Sequence, residues 1–278
     1  MSPAAIQTES LAQELTEAYA RSTLVSIPPS QRDPSFGLAE AYAVEARLVR
    51  MRRAGGHFPV GRKVGFANRA LWRLHKLNSV VWAHMYDDTV RSAAPGSPAT
   101  LDLSRMLAPK IEPEIIFKLK STPGPDPLDA AAVLESVESF ALGFEIVDCV
   151  YPGWKFAPAD FVAAFGFHAA LIVGPPRPVE PAAIPELVQQ LAGCQVRLLR
   201  DGAEIATGGG AKVLESPALC LGELAAGIRR EVPADPLAAG EIIATGALSD
   251  NQFLAPEQRW TAVLDGLALP ELTLRTTS

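Results

Sequence analysis

Long apolar runs, basic clusters and paired cysteines are all missing from this 278-residue chain. No stretch approaches the roughly 20 apolar residues a bilayer-spanning helix needs, so no membrane partner is expected. The first residues carry Glu9 and Glu14 and show no basic leader ahead of an apolar run, so a secretory signal is not expected either. Charged residues make up 20% of the chain, with 25 Lys and Arg against 31 Asp and Glu, a net charge of -6. With a pI of about 5.3 and no basic run, nucleic acid and anionic membrane surfaces are poor partners. The cysteines, Cys149, Cys194 and Cys220, are odd in number and lack metal-ligand spacing. They read as reduced thiols of a cytoplasmic protein. There is no Gly-x-Ser-x-Gly elbow and no cysteine matched to a histidine by motif, which leaves nucleophilic catalysis unsupported.

What is present is a core-forming composition: 48% hydrophobic residues and a mean hydropathy of +0.14. Periodicity predicts a helix over 1–22, with Ile6, Leu11, Leu15 and Tyr19 on one face. A second is expected over 38–53, ended by Gly55-Gly56. The segment 128–137 reads as a helix with Asp126 as its N-cap. Ser216-Pro217 opens another that runs to Arg230. Between them lie short strands: 60–66, 110–119, 140–150, 241–245, 259–264 and 272–275. Asp201-Gly202 signals a hairpin between 194–200 and 203–206. Such an order, without regular βαβ units, predicts an α+β fold. The expected organisation is a helical segment, 1–56, packed on a β-rich body, 57–278, as one structural domain.

The stretch with the clearest chemistry is Lys110-Ile111-Glu112-Pro113-Glu114-Ile115-Ile116-Phe117-Lys118-Leu119. As a strand it alternates faces, with Ile111, Pro113, Ile115, Phe117 and Leu119 on one and Lys110, Glu112 and Glu114 on the other. The charged face is either the solvated side of an edge strand, neutralised by Lys110, Lys118 and Lys120, or a surface for Mg2+ or Mn2+. Glu145 sits inside the apolar run Phe144-Glu145-Ile146-Val147, where an ionised carboxylate needs a cation or a metal. Lys63, within Gly61-Arg62-Lys63-Val64-Gly65, is either a turn lysine or a partner for such a carboxylate. Thr207-Gly208-Gly209-Gly210 and Thr245-Gly246 mark turns or close approaches of backbone to ligand. His168 lies in an apolar segment, as a core residue or a proton carrier. His75 and His84, near Trp72 and Trp82, read as surface or lid positions.

These motifs, in this order, resemble the fumarylacetoacetate hydrolase superfamily. Closest is its 2-keto-4-pentenoate hydratase / 4-oxalocrotonate decarboxylase branch. Ala41-Tyr42-Ala43-Val44, Gly61–Gly65, the Glu-x-Glu strand, Phe144–Asp148, Gly208-Gly209-Gly210-Ala211 and Gly240–Gly246 carry the likeness over nearly the whole chain. The resemblance implies a mixed β-rich roll with N-terminal helices and a homo-oligomer built from dimers. It implies Mg2+ or Mn2+ on Glu112, Glu114 and Glu145, with Lys63 in the site as a catalytic candidate; His168, outside the family pattern, is the second catalytic candidate from the residues themselves. Lys155, of the Trp154-Lys155 pair, Gly209 and Thr245 are the candidates for substrate binding. The implied substrate is a small 2-oxo acid, a 2-hydroxy-2,4-dienoate from aromatic catabolism, hydrated through a metal-stabilised enolate. C–C hydrolysis of a diketo acid, decarboxylation at the same site, and a non-catalytic scaffold are the alternatives. In one place the chain departs from the pattern. Where the branch has Ala-Asp-Asn and then a serine, this sequence reads Ala163-Ala164-Phe165-Gly166-Phe167-His168.

Overall fold

The structure, a computed structural model, describes residues 7–124, 129–231 and 235–278. The first helix, Thr8–Arg21, buries Leu11, Ala12, Leu15 and Ala18 along one face; Ile6 lies outside the described residues. The helix Leu38–Ala54 buries Ala41, Tyr42, Val44, Glu45 and Leu48. It opens with the Glu40 carboxylate accepting the Gly37 N–H at 2.9 Å. Leu11, Leu15, Val44 and Leu48 share one buried cluster with Ile115, Phe117 and Phe144 of the body, so the helices complete its core. The expected helix over 128–137 spans Ala130–Leu134, capped by Asp129, which accepts the Ala132 N–H at 2.8 Å. Asp126 lies outside the described residues.

Two sheets form the body. The main path of the larger one runs Val81–Tyr86, Pro59–Gly65, Ile242–Ala247, Lys110–Leu119, Val137–Val147, His168–Val173, Val90–Ser92. The smaller runs Ala203–Gly209, Gln195–Arg200, Arg259–Asp265, Leu272–Thr277, Ala99–Asp102. Asp201 and Gly202 take φ of 52° and 86° in the hairpin turn, the left-handed pair that matches strand twist. Parallel and antiparallel pairs mix in both sheets, as an α+β fold allows.

One of the two readings of the glutamate strand fails here. Lys110–Leu119 is not an edge strand. It pairs with Ile242–Ala247 on one side and Val137–Val147 on the other. Its charged face is covered too, because Ile116 packs with Met85, Leu171 and Ala244 in a small cluster of its own.

His84 is also not a surface residue. It lies in the wholly buried strand Val81–Tyr86, beside Arg62 in the register. Its Nδ1 is 2.6 Å from Glu45 and its Nε2 3.3 Å from Asp235. Arg62 donates to both Glu241 oxygens, at 2.7 and 2.8 Å, and to Asp235 at 2.7 Å. Burial alone would lower the His84 pKa, but Glu45 and Asp235 outweigh it and raise it to about 9. A raised folded-state pKa stabilises the fold fully below the unfolded value of 6.5 and is lost as pH climbs through about 9. Denaturant titrations across that window should show a loss of roughly 3 kcal/mol, at about 1.4 kcal/mol per pKa unit. His84→Gln should flatten the dependence; an unchanged slope in that variant would remove His84 as its source.

Candidate active site

Register decides where the acids meet. Glu112 stands directly opposite Glu145, and Glu114 opposite Gly143. Like charges in facing positions repel, yet one carboxylate oxygen from each of Glu112, Glu114 and Glu145 lies within 4.8 Å of the others. Glu114 and Glu145 are fully buried, and Glu112 is half-buried.

Each acid is held differently. The Ile242–Ala247 strand slips register between Ala244 and Ala247. At that irregularity Gly246 takes a φ of 107° and turns its N–H onto Glu114 Oε2 at 2.9 Å. A Cβ there would meet Ala67 Cβ at 2.8 Å, so the position needs glycine. Glu114 Oε1 is buried with no hydrogen-bond partner among the described residues. Glu112 accepts from Asn251 Nδ2 at 3.0 Å. Glu145 Oε1 is 3.1 Å from His168 Nδ1. Its Oε2 is 3.1 Å from Lys63 Nζ, an ion pair without hydrogen-bond alignment. The same ammonium donates to the Gly166 carbonyl at 3.0 Å.

Protonation follows from this arrangement. Burial pushes the Glu114 carboxyl well above its usual range, and the charges of Glu145 and Glu112 push it further. Burial raises Glu112 as well, against the pull of Lys63. Burial would raise Glu145 too, but Lys63 and His168 hold it below the ordinary value. Lys63 loses solvation on burial, yet Glu145, Glu112 and Glu114 raise its pKa, so it keeps its proton. Three carboxyls share one ammonium in a buried place, and without a further cation burial and mutual repulsion drive Glu114 toward its protonated form. The donors are hard oxygens, and one of them has no partner. That set fits a hard divalent cation of the Mg2+ or Mn2+ kind.

Lys63 and Glu112 line a cavity of about 500 Å³. The rest of its lining divides by chain segment. Phe66 and the stretch 154–167 supply aromatic rings, and Asn68, Lys212 and residues 249–251 supply polar groups. His168 does not line it. Its side chain is 2% exposed, and Nε2 lies 2.9 Å from Thr89 Oγ1, so it braces Glu145 from outside the cavity. Lys155 is exposed and outside the lining. Gly209 donates its N–H to Leu248 O at 2.8 Å, and Thr245 donates its hydroxyl to Ile115 O at 2.8 Å. Both hold backbone, and neither lines the cavity. The lining includes residues not singled out for binding from sequence. Lys110 was legible by alternation with Glu112 and Gly246 from the Thr245-Gly246 turn, whose amide meets Glu114; Asn251 carries no local signal.

No protein-family model matches the chain. It is 26% identical over 261 residues to a 2-hydroxyhexa-2,4-dienoate hydratase of Comamonas testosteroni, covering 93% of this chain and 94% of that one. It is 27% identical over 248 residues to a 4-oxalocrotonate decarboxylase of a Pseudomonas species, covering 88% and 90%. The solved structure of 4-oxalocrotonate decarboxylase from Pseudomonas putida G7, with magnesium and adipate, superposes with a TM-score of 0.86 at 23% identity over 97% of both chains. A fumarylpyruvate hydrolase from Pseudomonas aeruginosa, with Mn2+ and pyruvate, gives 0.57 at 18% identity over 78% and 88%. A yeast fumarylacetoacetate hydrolase family protein gives 0.56 at 13% identity over 78% and 92%. The fold is the one these solved structures share, a fumarylacetoacetate hydrolase family protein among them. The resemblance read from the ordered motifs therefore holds, and the hydratase and decarboxylase relatives lie in the expected branch.

This fold thus carries a self-repelling acid cluster with Lys63 inside it, and two substitutions should separate these forces. In chelator, Lys63→Met should lower the unfolding free energy by about 3 kcal/mol, since it strands a buried carboxylate. Glu114→Gln should raise it by about 1 kcal/mol by relieving repulsion. Urea titration of both variants checks the signs; equal losses would mean that repulsion is not what governs the cluster.

Proposed function

We propose that this chain is a metal-dependent hydro-lyase that adds water to a 2-hydroxy-2,4-dienoate or its 2-oxo-alkenoate tautomer. The observation that carries this reading is the convergence of Glu112, Glu114 and Glu145 within 4.8 Å, with Lys63 beside them at the cavity. The named activity of the hydratase relatives supports it. Glu112, Glu114 and Glu145 would hold Mg2+ or Mn2+, which when bound supplies Lewis-acid charge to the carboxylate and 2-oxygen of the substrate. The remaining steps belong to the chain's own side chains. Lys63, paired with Glu145 and lining the cavity, would supply positive charge and a hydrogen-bond donor to the 2-oxygen. His168 positions Glu145. Asn68, Ser249 and Asn251 provide polar groups that can hold a water near the conjugated bond. Addition of that water gives a 4-hydroxy-2-oxo acid.

C–C hydrolysis loses its support, because the base it requires, His168, has both ring nitrogens engaged and does not line the cavity. Decarboxylation keeps its support from the Pseudomonas relative and shares the acid cluster. The same reading includes a cytoplasmic location, in line with three buried free thiols, and a homo-oligomer built from dimers, which light scattering tests. Among the described residues no helix is long and apolar enough to cross a membrane.

At a hundredfold excess over its Kd, Mg2+ or Mn2+ should raise the melting temperature by about 5–10 °C. Glu114→Ala should abolish the rise; an undiminished shift in that variant removes the metal assignment. Metal-loaded protein should bleach the ultraviolet chromophore of 2-hydroxypenta-2,4-dienoate without releasing CO2. CO2 release from a dicarboxylate analogue, with no bleaching of the pentadienoate, would move the assignment to decarboxylase.

A further inference from the structure

We propose that the cavity selects 2-oxo acids carrying a bulky apolar group, aryl or branched alkyl, at the end remote from the carboxylate. This rests on the acid cluster taking the 2-oxo carboxylate. The first observation is size. A cavity of about 500 Å³ lies in the range that holds drug-sized ligands, far more than a five-carbon acid fills.

The second is the character of the lining. Phe66, Trp154, Phe156, Phe161 and Phe167 all contribute to it. Their rings form an edge-to-face lattice. Phe156 and Phe167 lie 4.6 Å apart at 86°, Phe161 and Phe167 5.2 Å apart at 82°, and Phe66 and Phe161 5.7 Å apart at 88°. Such a surface offers both faces and edges to another aromatic ring.

The third is backbone conformation. Phe66, Trp154 and Phe167 have φ of 59°, 57° and 56°. Bulky L-residues rarely occupy this left-handed region. Three in one cavity wall mark a backbone organised around where those rings point. Phe167 also belongs to the segment that departs from the branch's polar pattern.

The remaining lysines of the lining argue against a second carboxylate as the occupant. The Lys110 ammonium lies 4.0 Å from the Trp154 ring and 4.6 Å from the Phe253 ring, where cation–π contacts engage it. Lys212 is paired with Asp250 at 2.6 Å.

Calorimetric titration of the full Mg2+-loaded chain tests this with three non-diene probes: pyruvate, 4-phenyl-2-oxobutanoate and 2-oxoadipate. The phenyl compound should bind at least thirtyfold more tightly than pyruvate. Phe156→Ala should narrow that ratio below threefold. Phe156→Leu, which keeps most of the volume, should leave it intermediate and guards against a variant that does not fold. A phenyl compound no tighter than pyruvate overturns the proposal while the acid-cluster reading stands. So does 2-oxoadipate as the tightest ligand, which would give Lys110 a second carboxylate to bind. If none of the three binds, the acid-cluster reading falls and takes the proposal with it.

Discussion

Two glutamates face each other across an antiparallel pair where water has little access, and much of the surrounding chain serves to keep them there. The register that places Glu112 opposite Glu145 also lets the other face of the strand deliver Ile111, Ile115 and Phe117 to the main core. Slipping by one residue would turn the glutamates into that core and the isoleucines out of it, so the apolar face enforces the acidic one. The local supports come from separate strands. Lys63 arrives from Pro59–Gly65, His168 from the far side of Val137–Val147, and the Gly246 N–H from the bulged strand next to Glu114. Lys63 and His168 favour the charge of Glu145, while Glu114 is pushed toward its protonated form and keeps an oxygen without a partner among the described residues. A fold that retains such an imbalance against its own stability resembles the functional sites of other proteins, where local electrostatic strain is kept for chemistry.

Much of this was legible in the sequence because it rests on local periodicity. Alternation alone puts Lys110, Glu112 and Glu114 on one face, and Glu145 is conspicuous because an acid interrupts an apolar strand. The helix at Pro217–Glu231 and the Asp201-Gly202 hairpin follow from caps and turn chemistry that a few residues specify. What stayed hidden depends on neighbours distant in sequence. Whether Lys110–Leu119 is an edge or a central strand is set by strands more than a hundred residues later in one case, Ile242–Ala247. The burial of His84 depends on Glu45 and Asp235, neither of them near it in the chain. Gly209 and Thr245 were noticed for good reason, since both sit where backbones come close. The partner in each case is another strand or loop of the same chain, Leu248 and Ile115, and local sequence cannot tell that from a ligand.

The aromatic departure at 164–168 shows how the site can change its lining without disturbing its charges. Lys63 is fixed there by the Gly166 carbonyl, a backbone atom. Gly166 itself has little latitude: its φ is 58°, and a Cβ would come within 2.9 Å of both Lys63 Cδ and Ala83 Cβ. The carbonyls of the flanking positions carry contacts of their own. The Phe167 carbonyl receives the Asp148 N–H at 2.8 Å, and the Ala164 carbonyl lies 3.2 Å from the Tyr19 hydroxyl of the first helix. Asp160 ties the preceding turn to Ser30 through hydrogen bonds of 2.8 and 2.6 Å. The N-terminal helical segment therefore braces the path of this turn, and the path presents the carbonyl that Lys63 needs. The side chains at 165 and 167 pack elsewhere, Phe165 edge-on to Tyr19 and Tyr86 and Phe167 against Tyr151 and Phe156, so the ammonium is held by main-chain atoms and not by these rings. The carbonyl that holds the ammonium and the ring that shapes the cavity are therefore different atoms of one short segment, so the charge arrangement and the cavity wall rest on separate contacts.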